Sequence, residues 1–182
     1  MELGNLIPPY RIRRGRLSDA GGLYAVHERA VRVLARRVYS DSQVESWVHG
    51  NSPLCYVEAM RDEGEIFAVA VARRRGIVGF SALKGREVRS LYVDPEWSRL
   101  GVGSALLRRA EAMIAAAGHD RVEIGASLAG LTFYELHGYS VVKHRHWRSR
   151  GGLMIPAADM EKALGTAVAD DRPFRRRAGQ SG

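Results

Sequence analysis

The sequence predicts an α/β fold with a mixed sheet, and three observations support this class. Short apolar segments rich in β-branched residues recur along the chain, segments with helical spacing lie between them, and turn residues separate the two kinds. The predicted order is a strand, a group of helices, three strands, a helix, a strand, a short helix and a final strand pair. At 182 residues the chain has the size of one ordinary domain.

The first half supplies the leading strand, the group of helices and three strands. These are a strand in 10–17, helices in 18–39, 40–50 and 53–64, two strands within 65–85 and a strand in 86–93. The first helix begins with a Ser-Asp capping signal. Its predicted apolar face consists of Leu23, Val26, Ala30, Val33 and Leu34.

The second half begins with a helix that follows two glycines and stops at Gly118. Its predicted apolar face consists of Val102, Leu106, Ala110, Met113 and Ala117. A strand in 121–127, a short helix in 128–138 and a strand pair in 139–164 complete the order.

Composition excludes several classes of protein. No apolar run is long enough to cross a bilayer, and the N-terminal residues lack the apolar core of a signal peptide. The simplest expectation is a cytoplasmic protein without membrane contact. The single cysteine, Cys55, excludes an internal disulfide framework and a multi-cysteine metal site.

The net charge of +8 is consistent with a nucleic-acid partner or with a small polyanion such as a nucleotide-derived cofactor. The arginines are scattered, so nucleic acid is the less favoured partner. Part of the charge lies in residues 164–182, whose composition predicts a basic flexible tail.

The segment from Ser98 to Ser104 runs from a strand, through glycines, into a helix. The first N–H groups of a helix lack intrahelical partners and carry partial positive charge, so they attract anions. Gly101 and Gly103 would let phosphate oxygens reach those groups. The loop is neither G-x-G-x-x-G nor a Walker loop, and a tight strand-to-helix turn would explain the glycines equally well.

The loop and its surroundings resemble the GNAT superfamily of acetyl-CoA-dependent N-acetyltransferases. "LYVDP" followed by Ser98-Arg99-Leu100-Gly101-Val102-Gly103 is similar to the family's strand, turn and [QR]-x-x-G-x-[GA] loop, although Ser98 replaces Gln or Arg. "ASLAGLTFYELHGYSVV" resembles the second motif, with Ser127 in place of Asn and Tyr139 in place of Phe. "GIVGFSAL" is similar to the central hairpin and "MEKAL" to a common ending of the last strand. The resemblance implies a GNAT domain over residues 10–163, with a mostly antiparallel sheet and helices on both faces.

The resemblance also implies a binding site for acetyl-CoA as co-substrate. Leu91, Tyr92 and Val93 would border the pantetheine arm, with Val93 or its neighbour donating a backbone hydrogen bond. The segment around the pyrophosphate would comprise Arg99, Leu100, Gly101, Val102, Gly103 and Ser104, with Ser127 as a further cofactor-binding residue. No resident metal is expected.

Tyr134 and Glu87 are the predicted catalytic residues. Tyr134 matches a family tyrosine near the coenzyme sulfur, and a phenol that is protonated at neutral pH suits a general acid. Glu87 opens the strand that leads to "LYV", where some relatives keep a glutamate as general base. Glu123 and ordered water are rival bases, and an exposed strand-end role for Glu87 is equally open.

The acceptor is expected to be a small molecule with a primary amine, attacked directly in a ternary complex. The region near Tyr39, Trp47, His144, His146 and Trp147 is aromatic and mildly basic, which favours a small amine over a basic peptide. A protein or peptide acceptor, a non-catalytic acetyl-CoA sensor and a nucleic-acid binder are the alternatives. Cys55 as an acyl carrier and a metal on His144 and His146 are weaker ones, and a homodimer is an open expectation.

Overall fold

A computed structural model describes residues 9–165, so most of the predicted tail at 164–182 lies outside the described residues. Seven strands form one sheet in the order β1-β2-β3-β4-β5-β7-β6. The strands are β1 (Tyr10–Arg14), β2 (Ile66–Ala72), β3 (Gly76–Lys84), β4 (Glu87–Val93), β5 (Arg121–Ser127), β6 (Ser140–Arg148) and β7 (Met154–Ala163). The helices are α1 (Ala20–Leu34), α2 (Asp41–Val48), α3 (Pro53–Arg61), α4 (Val102–Ala116) and α5 (Leu131–Glu135).

Helices cover both faces of the sheet, which confirms the predicted fold class. On one face, α4 and α5 pack over β2, β3, β5 and β7 through Leu106, Leu107, Ile114 and Tyr134. On the other face, α1, α2 and α3 pack over β2, β3 and β7. Among the described residues, no helix is long and apolar enough to cross a membrane.

The sheet opens at β4 and β5, which form the only parallel pair among the described strands. β4 pairs with β5 only at Glu87–Glu123 and Val88–Ile124, whereas β5 stays paired with β7 as far as Ser127. In the pairing of β3 with β4, the register shifts between Ala82 and Leu83, and this leaves Arg89 as an extra residue in β4. Such a bulge bends its strand. β4 therefore leaves β5 while it remains bonded to β3.

The predicted helices differ from the observed ones mainly at their ends and in two faces. The helix predicted over 18–39 stops at Leu34 and continues as a 3-10 turn, and Val33 is 51% exposed while Val31 is buried. In α4, Ile114 is fully buried, whereas Ala117 is exposed beyond the end of the helix. The first three residues predicted for each apolar face are buried, so both faces are correct there and wrong only near the C-terminal ends, at Val33 and Ala117.

Tyr39 joins three parts of the chain just below the opening. Its hydroxyl donates a hydrogen bond to the Pro156 carbonyl (2.7 Å) and accepts one from the Leu128 amide (2.7 Å). Burial raises the pKa of Tyr39, so the hydroxyl keeps its proton for the Pro156 contact. The connection between α1 and α2 is thereby tied to β7 and to the turn that follows β5.

Tyr39→Phe should lower the free energy of unfolding by about 1–3 kcal/mol, because it leaves a partly buried amide and a partly buried carbonyl without partners. Denaturant titration followed by circular dichroism measures the change. Tyr10→Phe is the matched control, since Tyr10 lies on edge strand β1 and is only half-buried. Equal unfolding midpoints for the two variants would contradict the structural role of Tyr39.

Candidate active site

A cleft of about 1280 Å³ passes through the sheet where β4 and β5 diverge. One wall is β4 itself, from Glu87 to Val93, and the opposite wall contains Ile124, Gly125 and Ser127 of β5. The loop before α4 and helix α5 line one side of the sheet. The end of α1, Trp47 of α2 and Trp147 of β6 line the other side.

The loop between β4 and α4 is held in shape by its own polar residues. Buried Asp94 pairs with Arg29 of α1 and accepts a hydrogen bond from the Glu96 amide (3.1 Å). Ser98 donates from its hydroxyl to the Pro95 carbonyl (2.7 Å). Ser98 therefore closes the turn, and its place in the loop is explained without contact to an anion.

Two residues of the loop have left-handed backbone conformations. The φ angle is 63° at Arg99 and 80° at Gly101, which is the residue just before α4. A residue with a Cβ pays about 1–2 kcal/mol for this conformation, which explains the glycine at 101. The turn aims the start of α4 at the cleft.

The first turn of α4 presents backbone N–H groups that have no intrahelical acceptor. The first intrahelical bond runs from the Ala105 amide to the Gly101 carbonyl (3.0 Å). The amides of Val102, Gly103 and Ser104 precede it, and they belong to the positive end of a 15-residue helix. Of the predicted loop residues, Arg99, Gly101, Gly103 and Ser104 line the cleft, whereas Leu100 is exposed and the Val102 side chain is buried in the core.

Gly103 is explained by the ring of Phe133. A Cβ at this position would lie 3.4 Å from two Phe133 ring atoms and 3.6 Å from Val93. The missing side chain lets α5 approach the start of α4 closely. His137 strengthens the same contact, because its Nε2 lies 2.9 Å from Ser104 Oγ and its Nδ1 lies 2.7 Å from the Phe133 carbonyl.

The open edge of β4 carries unpaired backbone groups. The Asp94 amide donates to the Val78 carbonyl of β3 (2.9 Å), and successive residues of a strand point their backbone groups to opposite edges. Leu91 and Val93 therefore direct their N–H and C=O groups away from β3 and into the cleft. These are the two outer members of the predicted Leu91–Tyr92–Val93 edge.

Tyr134 lies on the wall of the cleft with its ring buried against Phe133 and Tyr139. Burial raises the pKa of the Tyr134 phenol, and no hydrogen bond within residues 9–165 contributes to the shift. Tyr134 is one of the residues that line the cleft, although its side chain is largely buried. A protonated phenol facing an open gap can donate to a bound group.

Glu87 and Glu123 are neighbours across the parallel pair, but only Glu87 lines the cleft. The Glu87 carboxylate accepts a hydrogen bond from Arg89 Nη1 (3.0 Å), and 39% of its side chain is exposed. Glu123 instead forms a salt bridge with Arg86 (2.7 Å). Of the two carboxylates, Glu87 is therefore the one that water or a substrate in the cleft can reach.

Aromatic residues close the far side of the cleft, as the sequence suggested in part. Trp47 and Trp147 pack edge to face with ring centroids 5.4 Å apart, and both line the cleft. Tyr39 is buried behind Trp47 and does not line it. The expectation that His144 and His146 belong to the acceptor region is wrong: both are exposed, while their neighbours Arg145 and Trp147 alternate into the cleft.

The cleft residues that sequence reasoning missed include the polar residues Arg37, His137 and Arg145. The period-2 alternation of β6 would have identified Arg145 once Trp147 was assigned to the cleft. Arg37 lies in the 3-10 turn that the sequence assigned to a longer helix. Within residues 9–165, no group of three or more His, Cys, Asp or Glu side chains could hold a metal ion.

The Cys55 side chain lies outside this cleft. Its sulfur is contacted by Arg150 Nη1 at 2.9 Å and by Ser52 Oγ at 3.6 Å. Because Cys55 does not line the cleft, the structure does not place its thiol beside a group bound there.

Comparison with known proteins gives the same assignment throughout. The family model described as an acetyltransferase (GNAT) domain matches residues 35–164. An uncharacterized N-acetyltransferase, YafP of Escherichia coli strain K12, is 29% identical over 141 residues, which cover 78% of this chain and 88% of that protein.

Solved structures agree with the fold. A GCN5-related N-acetyltransferase from Rhodopseudomonas palustris superposes with a TM-score of 0.77 at 25% identity, covering 85% of this chain and 96% of the other. The PaiA N-acetyltransferase from Thermoplasma acidophilum, solved in complex with coenzyme A, has a TM-score of 0.67 at 22% identity, covering 85% and 99%. The divergent β4–β5 pair, the glycine loop and the family match over most of the sheet lead to one conclusion: this chain belongs to the GNAT acetyltransferase family.

Proposed function

We propose that this protein transfers the acetyl group of acetyl-CoA to the primary amine of a small molecule by direct attack in a ternary complex. The observation that carries the proposal is the cleft that crosses the sheet between β4 and β5. Its two mouths differ in chemistry, with unpaired helix amides on the α4 side and aromatic walls on the α1–α2 side. Tyr134 lies on its wall.

The cofactor end would use mostly backbone groups. The amides of Val102, Gly103 and Ser104 would donate to pyrophosphate oxygens, and Arg99 would add a positive charge beside them. Leu91 and Val93 would hydrogen-bond the amide groups of the pantetheine arm as a missing strand would. Leu100 would contribute backbone only, because its side chain is exposed.

The reaction needs two proton transfers. The neutral amine attacks the thioester carbonyl, a C–N bond forms, and the C–S bond breaks. Glu87 would accept the proton that the amine loses, directly or through one water. Tyr134 would donate its phenolic proton to the leaving sulfur, and water would restore it.

The acceptor mouth fits a compact amine. Trp47 and Trp147 offer ring faces and edges to a small molecule, while Leu34 and Val38 add apolar surface. Residues 10–163 would form the acetyltransferase domain. The cytoplasmic location and a homodimer remain predictions, as does the basic tail, which falls mainly at residues that the structure does not describe.

Gly103→Val should abolish measurable binding of coenzyme A. A Cβ alone would already touch the Phe133 ring and Val93, so the γ-methyl groups of valine would crowd the start of α4 where the coenzyme is proposed to bind. Isothermal calorimetry measures the affinity, and circular dichroism verifies the fold. The matched control is Gly21→Val, since a Cβ at Gly21 meets nothing within 4 Å and lies in α1. Unchanged coenzyme affinity in Gly103→Val would remove the loop from the site.

Tyr134→Phe should lower turnover by about 10²–10⁴-fold with little change in coenzyme A affinity, because only the positioned proton donor is lost. Release of free thiol from acetyl-CoA, measured with a panel of primary amines, reports turnover. Because burial raises the pKa of Tyr134, the protonated donor persists as the pH rises. Loss of this proton should therefore cause no decline in wild-type turnover at any pH below about 10.

Tyr139→Phe is the control for loss of a phenol nearby, because the Tyr139 hydroxyl points away to Glu111 (2.9 Å). If turnover of Tyr134→Phe is within threefold of wild type, Tyr134 has only a packing role and water is the general acid. Coenzyme binding without thiol release for any amine would favour the sensor alternative instead.

A further inference from the structure

We infer that the acceptor amine carries a carboxylate, or a similarly compact anionic group, and that Arg145 binds it. The inference rests on the proposed function and specifies its substrate class: amino acids and related amino carboxylates, rather than polyamines or basic peptides.

Arg145 is built into the cleft wall. Its Nε donates to the Asp159 carboxylate of the neighbouring strand β7, which fixes the plane of the guanidinium group. The guanidinium lies over Gly125 of β5, so closely that a Cβ at Gly125 would collide with Arg145 Nη2. Glycine in the interior of a strand weakens the strand and often marks the close approach of another group. Here that group is the Arg145 guanidinium.

The donors that remain on Arg145 are available to a ligand. A guanidinium has five N–H donors, and the contact with Asp159 uses Nε. Within residues 9–165, neither Nη atom has a protein acceptor. Asp159 is also shared with Lys143 (3.4 Å), so one carboxylate serves two cations and leaves a net positive charge beside Gly125.

Among residues 9–165, the side chains that line the cleft carry a net positive charge. Its lining includes four arginines, at 37, 89, 99 and 145, but a single carboxylate, Glu87, which is bound to Arg89. Arg99 belongs to the loop before α4, which leaves Arg37 and Arg145 at the acceptor mouth. Arg37 has no carboxylate within salt-bridge distance among the described residues, although its neighbour Arg36 is paired with Asp41 (3.1 Å).

This arrangement selects against acceptors with several positive charges. A polyamine would place a second ammonium group beside Arg37 and Arg145, where the nearby Asp159 carboxylate is already shared by Arg145 and Lys143. An amino carboxylate places its anion at the guanidinium, where planar two-point hydrogen bonding is available. The amine is then free to point towards the gap between β4 and β5.

The test compares α-amino acids with their own carboxamides as acceptors, using thiol release from acetyl-CoA. The carboxamide has the more acidic ammonium group, so more of it is present as the free amine at neutral pH. A preference for the carboxylate therefore cannot arise from deprotonation. Wild-type protein should favour the best amino acid over its amide by about 10- to 100-fold in kcat/KM, as a charge-assisted hydrogen bond supports.

Two variants assign that preference to Arg145. Arg145→Gln should reduce it to under about threefold, because kcat/KM should fall much more for the acid than for the amide. Gly125→Ala retains the charge but displaces the guanidinium, so it should lower the preference as well. Arg148→Gln is the matched control, because Arg148 lies on the same strand, is exposed and does not line the cleft.

The outcomes separate the two levels of the proposal. Equal or better use of the amides by wild type would overturn the inference and leave the acetyltransferase function intact. A preference for acids that survives in both Arg145→Gln and Gly125→Ala would overturn the role of Arg145. Absence of thiol release with every amine would overturn the proposed function and the inference together.

Discussion

The divergence of β4 from β5 is the constraint on which the rest of the molecule depends. Two residue pairs hold the strands together, and then β4 bends at the Arg89 bulge while β5 stays on β7. Within residues 9–165, the backbone groups of Leu91 and Val93 that face this gap have no partners, which costs free energy unless water or a ligand satisfies them. A site that must be filled is thus created by the sheet itself, before any side chain is considered.

On each side of this opening, a side chain packs against a glycine. Phe133 packs on Gly103 and draws α5 to the start of α4, where unpaired amides collect. Arg145 lies over Gly125 on the opposite mouth, held by Asp159. One glycine thus shapes the end with helix amides, and the other makes room for a fixed positive charge at the aromatic end. Tyr134 lies on the same cleft wall, where burial favours its protonated form.

Much of this architecture could be predicted from the sequence, because it depends on residues that are close together in the chain. The Gly101 turn, the α4 helix and the strand order follow from glycine placement and apolar periodicity, and the family follows from motifs in order. Glu87 and Glu123 could not be separated, since their difference depends on where a parallel pair opens. Arg145 and Gly125 lie on strands that are both paired with β7, and this is why they meet. His144 and His146 were grouped with Trp147 in the sequence, although in β6 they lie on the opposite face from Trp147. Contacts between strands that are far apart in the sequence were therefore the part that could not be predicted.

Backbone hydrogen exchange with and without acetyl-CoA measures most directly whether the gap holds the co-substrate. The amides of Leu91 and Val93, and those of Val102 to Ser104, should exchange more slowly when acetyl-CoA is bound. Amides already paired in the ladder of β2 and β3 should change little. Slower exchange confined to other segments, with Leu91 and Val93 unaffected, would contradict binding in the opening between β4 and β5.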